Sequence, residues 1–156
     1  MGFWERLVGS DQPQHKDQGL LLPELLANYK AEIQLAKQIQ AHAEVSPHQA
    51  GADQLRTSAQ EQNRIVTFLQ DKIVELGGEC QESATTPEEG QNHWARVVHD
   101  LEDSQALTKK YNEQAIYWDP DVPDAAVFFL TLERDKQRLN ALLRDIALRA
   151  DPHAID

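Results

Sequence analysis

The sequence predicts an all-α fold, an antiparallel four-helix bundle built from two helical hairpins. Three observations carry that expectation. Apolar residues recur every three or four positions through four long segments, the mark of helices that bury one face. Short polar connections join the segments in pairs, and a longer stretch separates the pairs. The second pair also repeats the first at a constant offset, because Leu55, Ile65 and Leu69 correspond to Phe129, Leu139 and Leu143, each 74 residues further on.

The first segment of the chain is short and separate. Phe3, Trp4, Leu7 and Val8 make one apolar face, and the polar residues 10–19 after them carry no helical or strand period, so they read as a linker. Such an arm packs on its own bundle or on a neighbouring subunit. A membrane-surface anchor is the competing reading, and the several basic residues that such helices use are missing. The division expected is an arm and linker over 1–19, a bundle over 20–150 and a tail over 151–156.

The first long helix is expected from about Leu21 to Glu44, with Pro23 in its first turn and a stripe through Leu25, Tyr29, Ile33, Ala36, Ile39 and Ala43. Ser46-Pro-His-Gln49 has the form of a capping box and opens the second helix, whose stripe includes Leu55, Gln62, Ile65, Leu69 and Ile73. Gly77-Gly78 supplies the left-handed residue that ends it. Thr86-Pro-Glu-Glu89 is a second capping box, expected to start the third helix, which carries Val97, Leu101, Ser104, Leu107 and Tyr111 inward and stops at Trp118-Asp-Pro120. The fourth runs from Pro123 to about Arg149 with Phe128, Phe129, Leu132, Lys136, Leu139, Leu143 and Ile146 facing in. The connection from Gly77 to Thr86 spans about 30 Å when extended, enough to cross most of the bundle's length.

Composition narrows the function classes. The 156 residues suit one domain with a core large enough to need no disulfide or structural metal. With 15 Lys and Arg against 26 Asp and Glu, the net charge of −11 opposes nucleic acid as a partner. One cysteine, Cys80, cannot form an internal disulfide, which fits a reducing, cytoplasmic location. No stretch matches a membrane span, and the N-terminus lacks the basic start and apolar run of a signal peptide. Arg6 replaces the hydroxyl residue that N-myristoylation uses.

Gln62-x-x-Ile65-x-x-x-Leu69 and Lys136-x-x-Leu139-x-x-x-Leu143 share the shape of Glu-x-x-His-x-x-x-Leu. With the helix layout, the duplicated hairpin and Asp71-Lys-Ile-Val-Glu-Leu-Gly-Gly78 closing the second helix, this resembles the ferritin-like family of bacterioferritins and rubrerythrins over residues 20–150. The resemblance implies a dinuclear metal site with Glu on the first and third helices and Glu-x-x-His on the second and fourth. Matching by apolar stripe puts Gln62 and Ile65, then Lys136 and Leu139, at the Glu-x-x-His positions. Counting back 33 residues reaches Tyr29 and Asp103. A second register makes Glu32, Glu61, Glu102 and Glu133 the family carboxylates, with Arg64 and Lys136 where histidines belong. Neither register supplies the carboxylates and imidazoles together. Met1 is the only methionine, so the internal methionine that holds haem in bacterioferritins has no counterpart.

A lysine on a buried stripe needs a counter-charge or must lose its proton. Asp103 or Glu32 could pair with Lys136, with Tyr29 and Gln62 adding hydrogen bonds; the alternative is that its long stem carries the ammonium to the surface. A Schiff-base lysine would need an acid, a base and a substrate pocket that the sequence does not display. His99 and Asp103, four apart, are half of a metal site at most, and His42 and His48 bracket a turn as solvated residues. The function expected is non-catalytic: a metal-free bundle without cofactor, acting as a homo-oligomer, with a dimer favoured, or by binding a protein or small ligand. The alternative is a redox or iron-handling protein using a rearranged set of Glu32, Glu61, Glu102, Glu133, Asp103 and His99.

Overall fold

The computed structural model describes residues 8–82 and 90–156. These form four helices, α1 Val8–Glu44, α2 Gln49–Glu75, α3 His93–Trp118 and α4 Pro123–Arg149, with no strand among the described residues. The apolar arm residues Phe3, Trp4 and Leu7 and the capping sequence at Thr86 lie outside the described residues.

Three boundaries differ from the sequence expectation. Helix α1 begins at Val8, so the stretch read as a linker is helical. An apolar period reports packing, whereas Gln and Lys are good helix formers with or without it. Helix α2 is capped by His48 with no side-chain bond, while the Ser46 hydroxyl lies 3.4 Å from both the His48 carbonyl and His93 Nδ1. Helix α3 starts at His93, where Asn92 accepts the Ala95 N–H at 2.8 Å. An asparagine cap satisfies an end group that the first turn of a helix leaves unpaired.

The other ends form where the residues indicate. Pro123 occupies the first turn of α4, where its missing N–H costs nothing. At the end of α2, Gly77 adopts φ +85°, its N–H donates to the Val74 carbonyl at 3.0 Å, and the Gly78 N–H donates to the Ile73 carbonyl at 2.9 Å. That double closure is the Schellman motif, and it needs a residue that tolerates positive φ.

The chain order then sets the topology. Short turns fold α1 against α2 and α3 against α4. Gly78 sits against Leu22, at the start of α1's packed part, whereas His93 sits beside Ser46 at its far end. The connection between hairpins therefore runs the bundle's length, and Glu82 meets Lys37 of α1 on the way at 3.2 Å. Helices α1 and α3 lie side by side and antiparallel, as do α2 and α4, where Phe68 stacks on Phe128 at 4.8 Å. Leu25, Ile39, Leu55, Leu69, Phe129, Leu132, Leu139 and Leu143 are fully buried between them. The tail returns to α3: Asn92 Nδ2 donates to the carbonyls of Pro152 and Ala154, and Arg96 pairs with Asp156. Among the described residues no helix is long and apolar enough to cross a membrane.

Replacing Gly77 by alanine imposes a left-handed conformation on a residue with a Cβ. The expected loss is about 1 kcal/mol of stability, read from urea unfolding of Gly77→Ala with an unchanged denaturant slope.

Candidate functional site

At mid-height of the bundle, each of the four helices contributes one polar side chain to a single closed cluster. Glu32 comes from α1, Gln62 from α2, Tyr111 from α3 and Lys136 from α4, and all four are fully buried. Lys136 Nζ donates to Glu32 Oε1 at 2.9 Å and to Gln62 Oε1 at 3.1 Å. The Gln62 amide nitrogen donates to Glu32 Oε1 at 2.9 Å and to the Glu32 backbone carbonyl at 2.8 Å. Tyr111 donates its hydroxyl to Glu32 Oε2 at 2.7 Å. One carboxylate thus accepts from three donors on three other helices, which is how a charge is kept inside a protein.

Burial shapes the chemistry of this cluster. It lowers the pKa of Lys136, and the Glu32 carboxylate opposes that shift. Burial, followed by the same carboxylate, holds the Tyr111 phenol well above its ordinary range. With all four side chains fully buried, the cluster is an internal ion pair with two hydrogen-bonding neighbours.

The cluster takes residues from both registers considered for the sequence. Glu32 belongs to one, Gln62 to the other, and Lys136 is common to both. Lys136 therefore does not reach the surface, and its partner is Glu32. Tyr29 takes no part: it faces the start of the crossing connection near Glu79 and Glu82, and burial there raises its pKa. Tyr111 fills the place expected of it. Ile65 and Leu139 are apolar core. Ser104 is the inward residue of α3, and Asp103 lies half-exposed, 3.6 Å from His99 Nε2. Glu61 pairs with Arg64 on the surface, Glu102 is exposed and Glu133 is half-buried. The rearranged carboxylate set is not brought together, and among the described residues no group of three His, Cys, Asp or Glu is placed to hold a metal.

A ladder of polar contacts links α1 to α3 on either side of the cluster. Trp118 Nε1 donates to Glu24 at 3.2 Å, and Asn28 and Gln114 exchange amide bonds at 3.0 and 3.3 Å. Beyond the cluster, Gln38 donates to Asp100 at 2.8 Å and to Asp103 at 3.0 Å, and His42 Nδ1 meets Asp100 Oδ2 at 2.8 Å. His42 is buried, contrary to the solvated position expected beside a turn. It lies on a second inward stripe of α1, through Asn28, Gln38 and His42, that faces α3 on either side of the central Glu32. Burial raises the Asp100 pKa, while His42 and Gln38 pull it down. The spacing of these polar residues, matched by Asp100, Ser104, Tyr111, Gln114 and Trp118 on α3, is the sequence signal for this seam.

The fold is that of ferritin-like proteins. The bacterioferritin-related protein from Bacteroides fragilis, described as a dodecameric thioferritin, superposes with a TM-score of 0.71 at 14% identity, over 84% of this chain and 86% of that one. Dps from Thermosynechococcus elongatus gives 0.63 at 13% identity, over 88% and 99%. No protein-family model and no curated protein sequence matches the chain.

Two outcomes test the cluster. Glu32→Ala strands a buried ammonium and is expected to cost about 3–5 kcal/mol, whereas the double change Glu32→Leu with Lys136→Met recovers most of that loss; chemical unfolding of the single and double variants measures both. An unfolded tyrosine ionises near pH 10, but Tyr111 in the bundle stays protonated beyond that pH. The folded state then holds the extra proton, so the contribution of Tyr111 to stability is complete below pH 10 and falls above it. Tyr111→Phe is expected to flatten the alkaline slope by about 1.4 kcal/mol per pH unit relative to the parent, seen in unfolding curves from pH 9 upward.

Proposed function

We propose that this chain is a metal-independent ferritin-like protein that acts through self-assembly and binding rather than through catalysis at its centre. The observation that carries the reading is the Lys136 ammonium bonded to Glu32 and Gln62 in the middle of the bundle. The resemblance implies a dinuclear centre of several carboxylates and two imidazoles at such a position. Here the four helices present one carboxylate, one amide, one phenol and one ammonium, and the ammonium has already taken up the carboxylate's charge. This donor set does not suit a pair of divalent cations, which need anionic oxygens and neutral imidazole nitrogens. The positive charge that a metal brings is supplied by a side chain, so folding and assembly are uncoupled from metal supply.

The complete burial of all four side chains argues in the same direction, because no part of Lys136 is presented to a substrate in solution. Self-assembly is the counterpart of that closed interior. The Bacteroides fragilis protein of the same fold is described as dodecameric, and this chain carries exposed large apolar residues on its outer faces, Ile116, Val127 and Leu130 among them. A homo-oligomer, with the dimer as its smallest unit, is the form in which such residues are covered.

The test is aerobic addition of ferrous iron to tag-free protein, followed by desalting and measurement of bound metal per chain. No retained metal is expected, together with a thermal midpoint that a chelator leaves unchanged. Retention of about two metals per bundle would overturn the proposal and restore an iron-handling role.

A further inference from the structure

The ends of α2, α3 and α4 finish together, and α1 alone continues past them. Gly78 beyond α2 packs on Leu22, Trp118 at the end of α3 bonds Glu24, and Ala125 in the first turn of α4 lines a cavity with Leu21 and Leu25. The helix nevertheless extends back to Val8. From the level of Leu21 that is about 20 Å of projecting helix at 1.5 Å per residue. In the sequence, the apolar residues Phe3, Trp4 and Leu7 precede Val8.

The same end of the bundle carries a recess suited to such a segment. A cavity of about 190 Å³ opens there between α1, α2 and α4, walled by Leu21, Leu25, Leu76, Val122 and Phe128. It is smaller than the roughly 300 Å³ of the least small-molecule pockets, and its size suits one large side chain. Around it gather exposed apolar residues: Leu20 is 61% exposed, Phe68 38% and Leu76 39%. Its rim is charged, with Lys72, Glu75 and Asp124 at the mouth. The arm holds Glu5 and Arg6 between Trp4 and Leu7, one charge of each sign to exchange with the Lys72–Glu75 pair of this rim, which closes on itself at 2.8 Å in the single chain.

The chain's own arm cannot fill this recess while α1 is continuous. Between Val8 and the level of Leu21–Leu25 lie about 20–26 Å of helix. The four residue steps from Val8 back to Trp4 span at most about 14 Å, with nothing left for the reversal of direction. A second copy has no such restriction. We infer that the N-terminal arm of one copy docks Trp4 into the Leu21/Leu25/Val122/Phe128 recess of a second copy, which returns the same contact. The exchange is reciprocal, so it closes as a two-fold dimer and does not propagate. This inference rests on the self-assembly reading above and names the surface that performs it.

The experiment compares full-length protein with Trp4→Ser, Leu76→Lys and Arg6→Glu by light scattering across a concentration series. The dimer is expected to weaken at least tenfold in Trp4→Ser and in Leu76→Lys, and Arg6→Glu is expected to be restored by Glu75→Arg. Circular dichroism checks that each variant keeps its helices. In a Cys80→Ser background, chains bearing Trp4→Cys are then mixed with differently sized chains bearing Leu76→Cys, and a disulfide between the two sizes is expected. A dimer of unchanged affinity in Trp4→Ser, or no disulfide between the mixed chains, would overturn the arm exchange and leave self-assembly standing through another surface. A parent protein that stays monomeric would overturn both.

Discussion

A carboxylate and an ammonium meeting inside the bundle constrain everything packed around them. Either charge alone would be strongly disfavoured there, so any arrangement of the helices that separates Glu32 from Lys136 is penalised. The penalty extends to all four helices, because Gln62 and Tyr111 complete the same carboxylate's hydrogen bonds. Turning one helix by a single residue rotates its side chain by about 100°, and sliding it by one turn moves it about 5.4 Å. Both displacements exceed what a hydrogen bond tolerates. The net contribution of the pair to stability is small, because desolvation offsets attraction; its effect is to raise the energy of misregistered packings.

The surrounding bundle is asymmetric in a way the duplicated sequence only half conveys. Gln62 and Lys136 occupy equivalent places in the two hairpins, and they bond each other across the interface between α2 and α4. That side is otherwise apolar, with Phe68, Phe128 and Phe129 in contact. On the other side α1 and α3 meet through amides, carboxylates, a tyrosine and a histidine. At the 74-residue offset Leu25 and Leu26 of α1 meet His99 and Asp100 of α3, a mismatch that reflects how much of the surface shared by these two helices is polar. The centre is thus closed and neutralised, with a polar seam on one side and an apolar one on the other.

Much of this was legible in the residues. Lys136 on an otherwise apolar stripe signals a buried partner, and Glu32 and Gln62 were nameable as candidates because both lie near inward positions of their helices. Tyr29 was misassigned for a geometric reason: the inward stripe of α1 is wide enough to face three neighbours, and Tyr29 faces the crossing connection while Glu32, one turn later, faces the centre. His42 was misread for the same reason, since proximity to a turn says nothing about which flank of a helix meets α3. The start of the second helix was displaced because Ser46 does not cap it: its hydroxyl lies 3.4 Å from both the His48 carbonyl and His93 Nδ1, and the cap falls at His48.

The sequence by itself determined the helical class, the two hairpins, the direction of each connection, the fourth helix from end to end and the apolar core, because these follow from local periodicity and from residues such as Gly77 and Pro123 that permit few backbone conformations. Tertiary structure alone decided which polar groups share a site. The choice of Glu32 over Asp103 as partner, of Tyr111 over Tyr29 as donor, and of Asp100 for His42 depends on the relative rotation of neighbouring helices. A one-residue difference in that rotation changes which side chain points inward, and no local pattern along a single helix encodes it.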